Sequence, residues 1–217
     1  MVAEIACALA LLVAAGLSVA GGARMVSQPG GFNSARLLRM DIPLPESKYD
    51  APAARREFAA SLTARLEAIP GVERAAMAFV LPASGWSPVV QFVMENQPVP
   101  EAARRPSTGF RAVSPEYFET MRIPILRGRA FSTFDREGTE PVAIISASMA
   151  ERFWPGQDPV GARVRLADSK EWLNIVGVAG DVRMYNWWDG EDRAAMYLPL
   201  RQDPPAGNVQ AVVRVGA

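Results

Sequence analysis

The sequence predicts an α+β fold behind an N-terminal membrane helix. Three observations carry that expectation. Ile5 to Ala23 is an uncharged run of 19 residues. Residues 35–81 read as strand, amphipathic helix, strand. The remainder is a series of short apolar segments punctuated by proline, of which the chain has 18.

As a helix the uncharged run would rise roughly 28 Å at ~1.5 Å per residue. That nearly matches a hydrocarbon core of about 30 Å. The alternatives are a secretory signal peptide, with a small-residue cleavage site near Val19 to Ala23, and a buried helix of a soluble domain. No basic residue precedes the run, only Glu4, which is unlike such a signal. A lipoprotein signal fits worse, because the single cysteine, Cys7, lies too early. The run is rich in Ala and Gly, which suits packing against other membrane helices.

Gln28 to Ser34 reads as a linker. Ala35 to Ile42 is a strand, stopped by Pro43 and Pro45. Asp50 stands where a helix N-cap belongs, with Pro52 in the first turn. Phe58, Leu62, Leu66 and Ile69 form one apolar stripe, with Arg55, Arg56, Arg65 and Glu67 on the other side. Pro70-Gly71 ends the helix, and Val72 to Leu81 is the next strand. The result is a β-α-β unit with parallel strands.

Further strands are expected at Val89–Glu95, Thr108–Val113, Val142–Ile145, Met196–Leu200 and Val209–Val215. Ser114 caps a short helix carrying Tyr117, Phe118 and Met121. Ile123 to Phe131 is extended and turning. Ser146 or Ser148 caps a helix with Met149, Ala150 and Phe153. Arg163–Leu166 and Trp172–Ala179 form a hairpin.

Composition narrows the chemistry. Hydrophobic residues make up 49% and charged residues 21%, enough for a packed core. About 190 residues follow the run, enough for one domain or two small ones. Lys+Arg and Asp+Glu both total 23, so no strong pull toward nucleic acid is expected. The chain has no histidine, which removes His-based triads, His metal sites and the usual proton shuttle. One cysteine rules out an intramolecular disulfide and a multi-Cys zinc site. No base, nucleophile and orienting group converge, so no catalytic, cofactor or metal site is expected and the chain reads as a non-enzyme.

Three sharper patterns compete with plain readings. Asp181, Asp189, Glu191 and Asp192 lack calcium-loop spacing and read as a solvated acidic loop. Gly177-Val-Ala-Gly180 sits in a strand with no helix after it, unlike a phosphate loop. Trp187 and Trp188 are adjacent in an otherwise polar loop. They are either a partner-binding anchor or a pair with one ring packed onto the hairpin beneath. If they anchor a partner, replacing both by Ala should weaken assembly with little change in Tm.

The most specific segment runs from Val113 to Gly161. It reads Val-Ser-Pro-Glu-Tyr-Phe-Glu-Thr-Met-Arg-Ile-Pro-Ile-Leu-Arg-Gly-Arg-Ala-Phe, then Pro141-Val-Ala-Ile-Ile-Ser, then Ala150-Glu-Arg-Phe-Trp-Pro-Gly-Gln-Asp-Pro-Val-Gly. Ile175-Val-Gly-Val-Ala-Gly-Asp-Val-Arg and Met196-Tyr-Leu-Pro-Leu-Arg-Gln follow. Pro70-Gly71-Val72-Glu73 and Leu81-Pro82 precede. In this order the pieces resemble the MacB-like periplasmic core domain of ABC transporter permeases, the FtsX-like permease family. Ser146 stands where that family usually has Asn, and Ser still suits a cap.

The resemblance implies an extracytoplasmic permease domain, outside the bacterial inner membrane and entered through the N-terminal helix. Arg24, Arg36 and Arg39 follow that helix, and by charge alone they argue for the opposite orientation. It implies residues 1–27 as membrane helix and exit, and 28–217 as the domain. That domain would have mixed strands with helices on one face. A larger βαβ-containing lobe would hold a smaller β-rich lobe inserted within it. The family's domain continues past the last strand, so its C-terminal part is expected to be missing here, as in a truncated gene or a fragment. The implied partners are a cytoplasmic ATPase domain or subunit, a second copy or paired permease, and a periplasmic adaptor. No G-x-x-x-x-G-K-[ST] is present, so ATP hydrolysis would belong to that partner. The function implied is coupling of ATP-driven motion to efflux or periplasmic work by rigid-body movement. The alternative is a secreted or membrane-anchored binding protein with no ATPase partner.

Overall fold

The computed structural model describes residues 11–19, 30–82, 84, 86–95, 97–98, 100–184 and 194–216. The chain divides into two units, Met1–Gly30 and Gly31–Ala217. In the first, residues 11–19 are helical. Among the described residues no helix is long and apolar enough to cross a membrane. The flanks of the uncharged run, residues 5–10 and 20–23, lie outside them.

Among its described residues the second unit has ten strands. These are β1 (Leu37–Ile42), β2 (Val72–Ala78), β3 (Val89–Met94), β4 (Ser107–Val113), β5 (Ile125–Gly128), β6 (Val142–Ser146), β7 (Arg163–Leu166), β8 (Leu173–Ala179), β9 (Ala195–Pro199) and β10 (Val209–Val215). Four α-helices join them: α1 (Glu46–Tyr49), α2 (Pro52–Glu67), α3 (Tyr117–Met121) and α4 (Ala147–Phe153). A 3₁₀ turn occupies Ala102–Arg104.

The strands make two connected parts. β4, β3, β7, β8, β6 and β9 pair in turn, and β9 pairs back to β4, which closes a six-stranded ring. β5 adds to β8. From β4 a wing extends through β2 and β10 to β1. β1 and β2 both run antiparallel to β10, so they are parallel to each other with β10 between them. The β-α-β unit therefore forms as expected, split by the last strand of the chain.

Burial explains which side chains these strands carry. β6 is buried along its whole length. Val142 and Ile144 face one core, while Ala143 and Ile145 face another. A strand covered on both faces needs an uninterrupted apolar run, and Val-Ala-Ile-Ile supplies it. On the wing, Met77 and Ala211 pack under α2, whereas Ala76, Ala78 and Val212 pack with Tyr117 and Phe118 of α3. Helices thus cover both faces of the sheet, not one. The alternation of β2 leaves apolar side chains on each side, and each side needs a cover.

The two expected lobes are present only in part. The β-rich ring is inserted in sequence between β2 and β10, as expected. It is the larger part rather than the smaller. It is also not a separate body, because β4 hydrogen-bonds to β2 of the wing and to β3 and β9 of the ring.

Local assignments differ at three positions. Asp50 is not the N-cap of α2; Ala51 is, and Asp50 closes the unforeseen turn α1. Pro52 then starts α2 with its φ already suited to a helix. Arg55, expected on the outer side, is buried. Its Nη1 donates to the carbonyls of Tyr49 (2.8 Å) and Asp50 (2.5 Å), and its Nε to Pro204 (3.3 Å). The α1–α2 corner leaves those carbonyls without partners, and a long cation reaches them. Ser114 caps no helix. Its Oγ accepts from the Met77 N–H (3.1 Å), where β2 runs past the end of β4.

Candidate functional site

The chain enters and leaves the Gly31–Ala217 unit at one place. Leu37 pairs with Arg214, and the Val215 N–H donates to the Arg36 carbonyl (3.0 Å). β1 and β10 therefore form a seam carrying both the entering and the outgoing segment.

Arg214 holds the seam. It is 2% exposed. Its Nε donates to the Thr120 carbonyl (2.7 Å), Nη1 to Ala35 (2.8 Å) and Nη2 to Asn33 (2.8 Å). One guanidinium thereby ties the entry loop, α3 and β10 together. Its bonded partners are carbonyls, not a carboxylate. Burial, helped by the nearby Arg122 charge, pulls its pKa below the ordinary arginine value. It stays charged, because a guanidinium does not lose its proton in a protein.

Two further contacts fasten the entry loop. The Asn33 N–H donates to the Met121 carbonyl (3.1 Å). Gly31, at φ +80°, lies so close to Asp181 that a Cβ there would stand 1.8 Å from its carbonyl oxygen. Only glycine allows that approach. Arg36 (φ 59°) and Arg122 (φ 55°), the two described non-glycine residues in left-handed backbone, flank this region.

A second set of polar contacts fastens the ends of β6 and β9 within the ring and, through Arg56, reaches α2. Gln202 Nε2 donates to the Glu140 carbonyl (2.7 Å) and to Thr139 Oγ1 (3.2 Å), while its Oε1 accepts from the Val142 N–H (3.1 Å). The Glu137 N–H donates to the Arg201 carbonyl (3.0 Å), and its carboxylate pairs with Arg56 of α2. Asp135 anchors the same loop. Its carboxylate takes both Arg129 Nη atoms (2.7 and 2.9 Å) and the Ser132 N–H (2.7 Å). Burial would raise the Asp135 pKa, but Arg129 and Ser132 overcome it and hold the carboxyl below its usual range.

A shallow cavity of about 200 Å³ lies between α2 and the end of β9, floored by Ala59, Ala60 and Leu200 and rimmed by Arg56 and Arg201. No group of three or more metal-ligating side chains gathers among the described residues.

The residues singled out in the sequence fare differently. Trp187 and Trp188 lie outside the described residues, as do Asp189, Glu191 and Asp192. Asp181 is committed elsewhere: it accepts from the Ser148 N–H (2.8 Å) and Oγ (2.5 Å) at the start of α4. Ser146 is the cap itself, accepting from the Met149 N–H (3.3 Å) and also from Ala195 (2.9 Å). Gly177 lies inside β8, where a Cβ would meet the Arg129 carbonyl at 2.3 Å, so it marks strand packing and not a phosphate loop. Sequence reading passed over Arg214 and Gln202. The available signal was a charge inside the apolar strand Val209–Val215, since a buried arginine needs several acceptors.

Comparison with known families places this architecture. The model of the MacB-like periplasmic core domain matches residues 2–215. The chain belongs to that family. It is a domain of ABC transporter permeases, not a known enzyme class. The periplasmic region of MacB from Actinobacillus actinomycetemcomitans has the same fold. It is 12% identical with a TM-score of 0.56, over 89% of this chain and 80% of that one. The extracellular domain of the noncanonic ABC-type transporter YknZ from Gram-positive bacteria is 14% identical, with a TM-score of 0.49 over 82% and 84% of the two chains. A domain of a putative permease protein from Porphyromonas gingivalis is 22% identical, with a TM-score of 0.47 over 70% and 65%. No curated protein matches the chain. In this MacB-like domain the Leu200-Arg201-Gln202 motif ties the end of β9 to the start of β6, and Leu200 packs in the core beneath α2.

Proposed function

We propose that this MacB-like domain couples ATP-driven motion of a permease to work outside the membrane, moving as a rigid body. The seam carries the reading. Entry and exit segments share one ladder, and Arg214 ties that ladder to α3, so a displacement at the seam moves the unit as a whole. Residues 5–23 are the membrane-spanning helix that delivers the displacement, with the domain on the periplasmic side of the inner membrane. ATP is hydrolysed by a cytoplasmic domain or subunit. The working unit is a pair of permease domains, and a periplasmic adaptor meets it in members that drive efflux.

An insertion tests the coupling. Six Gly/Ser residues placed after Gly30 should leave ATP hydrolysis by the assembled transporter intact and abolish its transport. Unchanged transport overturns rigid coupling. Mass spectrometry of the mature chain tests the membrane helix: an intact N-terminus is expected. Cleavage near Ala23 would favour a secreted binding protein.

A further inference from the structure

The cavity of about 200 Å³ beside α2 carries opposite charges at its two ends. Its α2 wall runs along one helix face from Arg56 to Glu67, through Ala60 and Ala64. Ser114, Glu116, Leu200 and Arg201 face that wall. Hydrogen bonds fix which ends meet. Arg56 Nη1 donates to the Gln202 carbonyl (3.5 Å), so Arg201 stands at the Arg56 end. Glu67 accepts from the Ala75 N–H (3.3 Å), and Ser114 Oγ accepts from the Met77 N–H, two residues further along β2. Ser114 and Glu116 therefore belong to the Glu67 end. Leu200, whose N–H donates to the Val113 carbonyl (2.9 Å), lies between.

The groups at the two ends differ in how far they are engaged. The Arg56 guanidinium pairs with Glu137, and the Glu67 carboxylate holds one N–H. Arg201 and Glu116 are half-buried, and their side chains make no hydrogen bond or ion pair among the described residues. Glu116 feels the charge of Arg74, but Arg74 is itself paired with Glu119 at 3.2 Å. Ser114 is 6% exposed. Its Oγ accepts from Met77, and its own hydrogen meets no acceptor among the described residues. A hydroxyl that only accepts has a donor left over. The cavity thus offers a cation at one end, an anion at the other, and a hydroxyl donor.

We propose that the cavity binds a short zwitterionic peptide of about three residues. Its carboxylate lies at Arg201 and Arg56, its ammonium at Glu116 and Glu67, and a peptide carbonyl accepts from Ser114. An anion alone would leave both glutamates unmatched beside it, and a cation alone would leave Arg201 unmatched. The α2 C-terminus at Glu67 carries partial negative charge, which favours the ammonium there as well. The length agrees. Arg56 and Glu67 are about 16 Å apart along the helix at ~1.5 Å per residue, and their side chains line the interval from both ends. Three extended residues span about 10 Å.

The plain alternative is that small residues let α2 lie close on the sheet. Ala59 does so, packed in the core with Met77 and Ala211. Phe58, Leu62 and Leu66 supply the rest of that contact. Ala60 and Ala64 are exposed, so their size serves no packing of helix on sheet. It keeps the cavity open instead. The site goes beyond the coupling reading and does not depend on it.

Calorimetric titration of trialanine into the full chain in detergent micelles tests it. Saturable binding at one site per chain is expected. Trialanine amide lacks the carboxylate and N-acetyl-trialanine lacks the ammonium, and each should bind on the order of tenfold more weakly. Arg201→Gln and Glu116→Gln should each cause a loss of the same order, since each removes one charge-assisted bond. Ala60→Leu should fill the cavity and abolish binding with Tm unchanged, because leucine is a strong helix former. Arg65→Gln, on α2 but outside the cavity, should bind trialanine as the natural chain does. Absence of saturable binding overturns the proposal, as does binding that survives Ala60→Leu. If Ala60→Leu disturbs folding, the two charge variants decide: binding indifferent to both overturns it. Weakening by the amide alone would mean a site for a bare carboxylate, such as a protein C-terminus, and overturns the zwitterionic peptide.

Discussion

The ring and the wing solve the same problem in opposite ways. In the ring every strand has a neighbour on each side, and β6 is buried along its whole length. The wing ends in β1, whose four central residues are exposed and whose outer edge has no neighbour among the described residues. The compositions follow. Val-Ala-Ile-Ile fills a strand covered on both faces, whereas Leu-Arg-Met-Asp alternates. A closed ring leaves no edge, and an open wing leaves one strand with a single neighbour among the described residues. The difference separates a part held from every side from a part held from one.

Mutations can break this contrast, beginning with the ring. Phe92 is fully buried and meets Phe153 edge to face at 5.0 Å. Phe92→Ala should destabilise the domain by about 3–5 kcal/mol in denaturant unfolding. At the seam, Arg214→Ala leaves three carbonyls without their donor, a loss on the order of 3 kcal/mol. Hydrogen exchange should show β1 and β10 opening well before the ring. Uniform loss of protection across both parts would mean that the wing is not a separate unit of stability.

Asp135 sharpens the contrast through pH. Its folded carboxyl is held below the ordinary value, so its contribution is present above about pH 4. That contribution is lost as pH falls through the folded value. Asp135→Asn should cost roughly 1.5–3 kcal/mol at pH 7 and flatten the acid limb of the stability profile. An unchanged acid limb would assign it to other carboxylates. The smallest effect belongs to the outer strand. Leu38→Thr should change the stability of the domain by no more than about 0.5 kcal/mol. A larger loss would show that Leu38 is covered.

Much of this was legible in the chain. The strand–helix–strand order of residues 35–81, the hairpin of β7 and β8, the Ser146 cap and the extent of β10 follow from periodicity and turn residues. Those signals depend on near neighbours in sequence. The site was less legible. Arg55 read as a surface residue because its stripe position says nothing of the Pro204 carbonyl 149 residues away. Gln202 read as part of a motif with no role. Its role depends on Glu140 and Val142, which come beside it only when β6 and β9 pair. The tryptophan pair stays an expectation, outside the described residues.

The sequence by itself determined the elements, the apolar faces and the family. Only the tertiary structure decided that β10 enters between β1 and β2, that the ring closes through β4 and β9, and that β1 stays at the edge. The physical reason is range. Helix faces, caps and turns are set within a few residues. Strand neighbours are chosen by contacts such as Leu37 with Arg214, which no local pattern records.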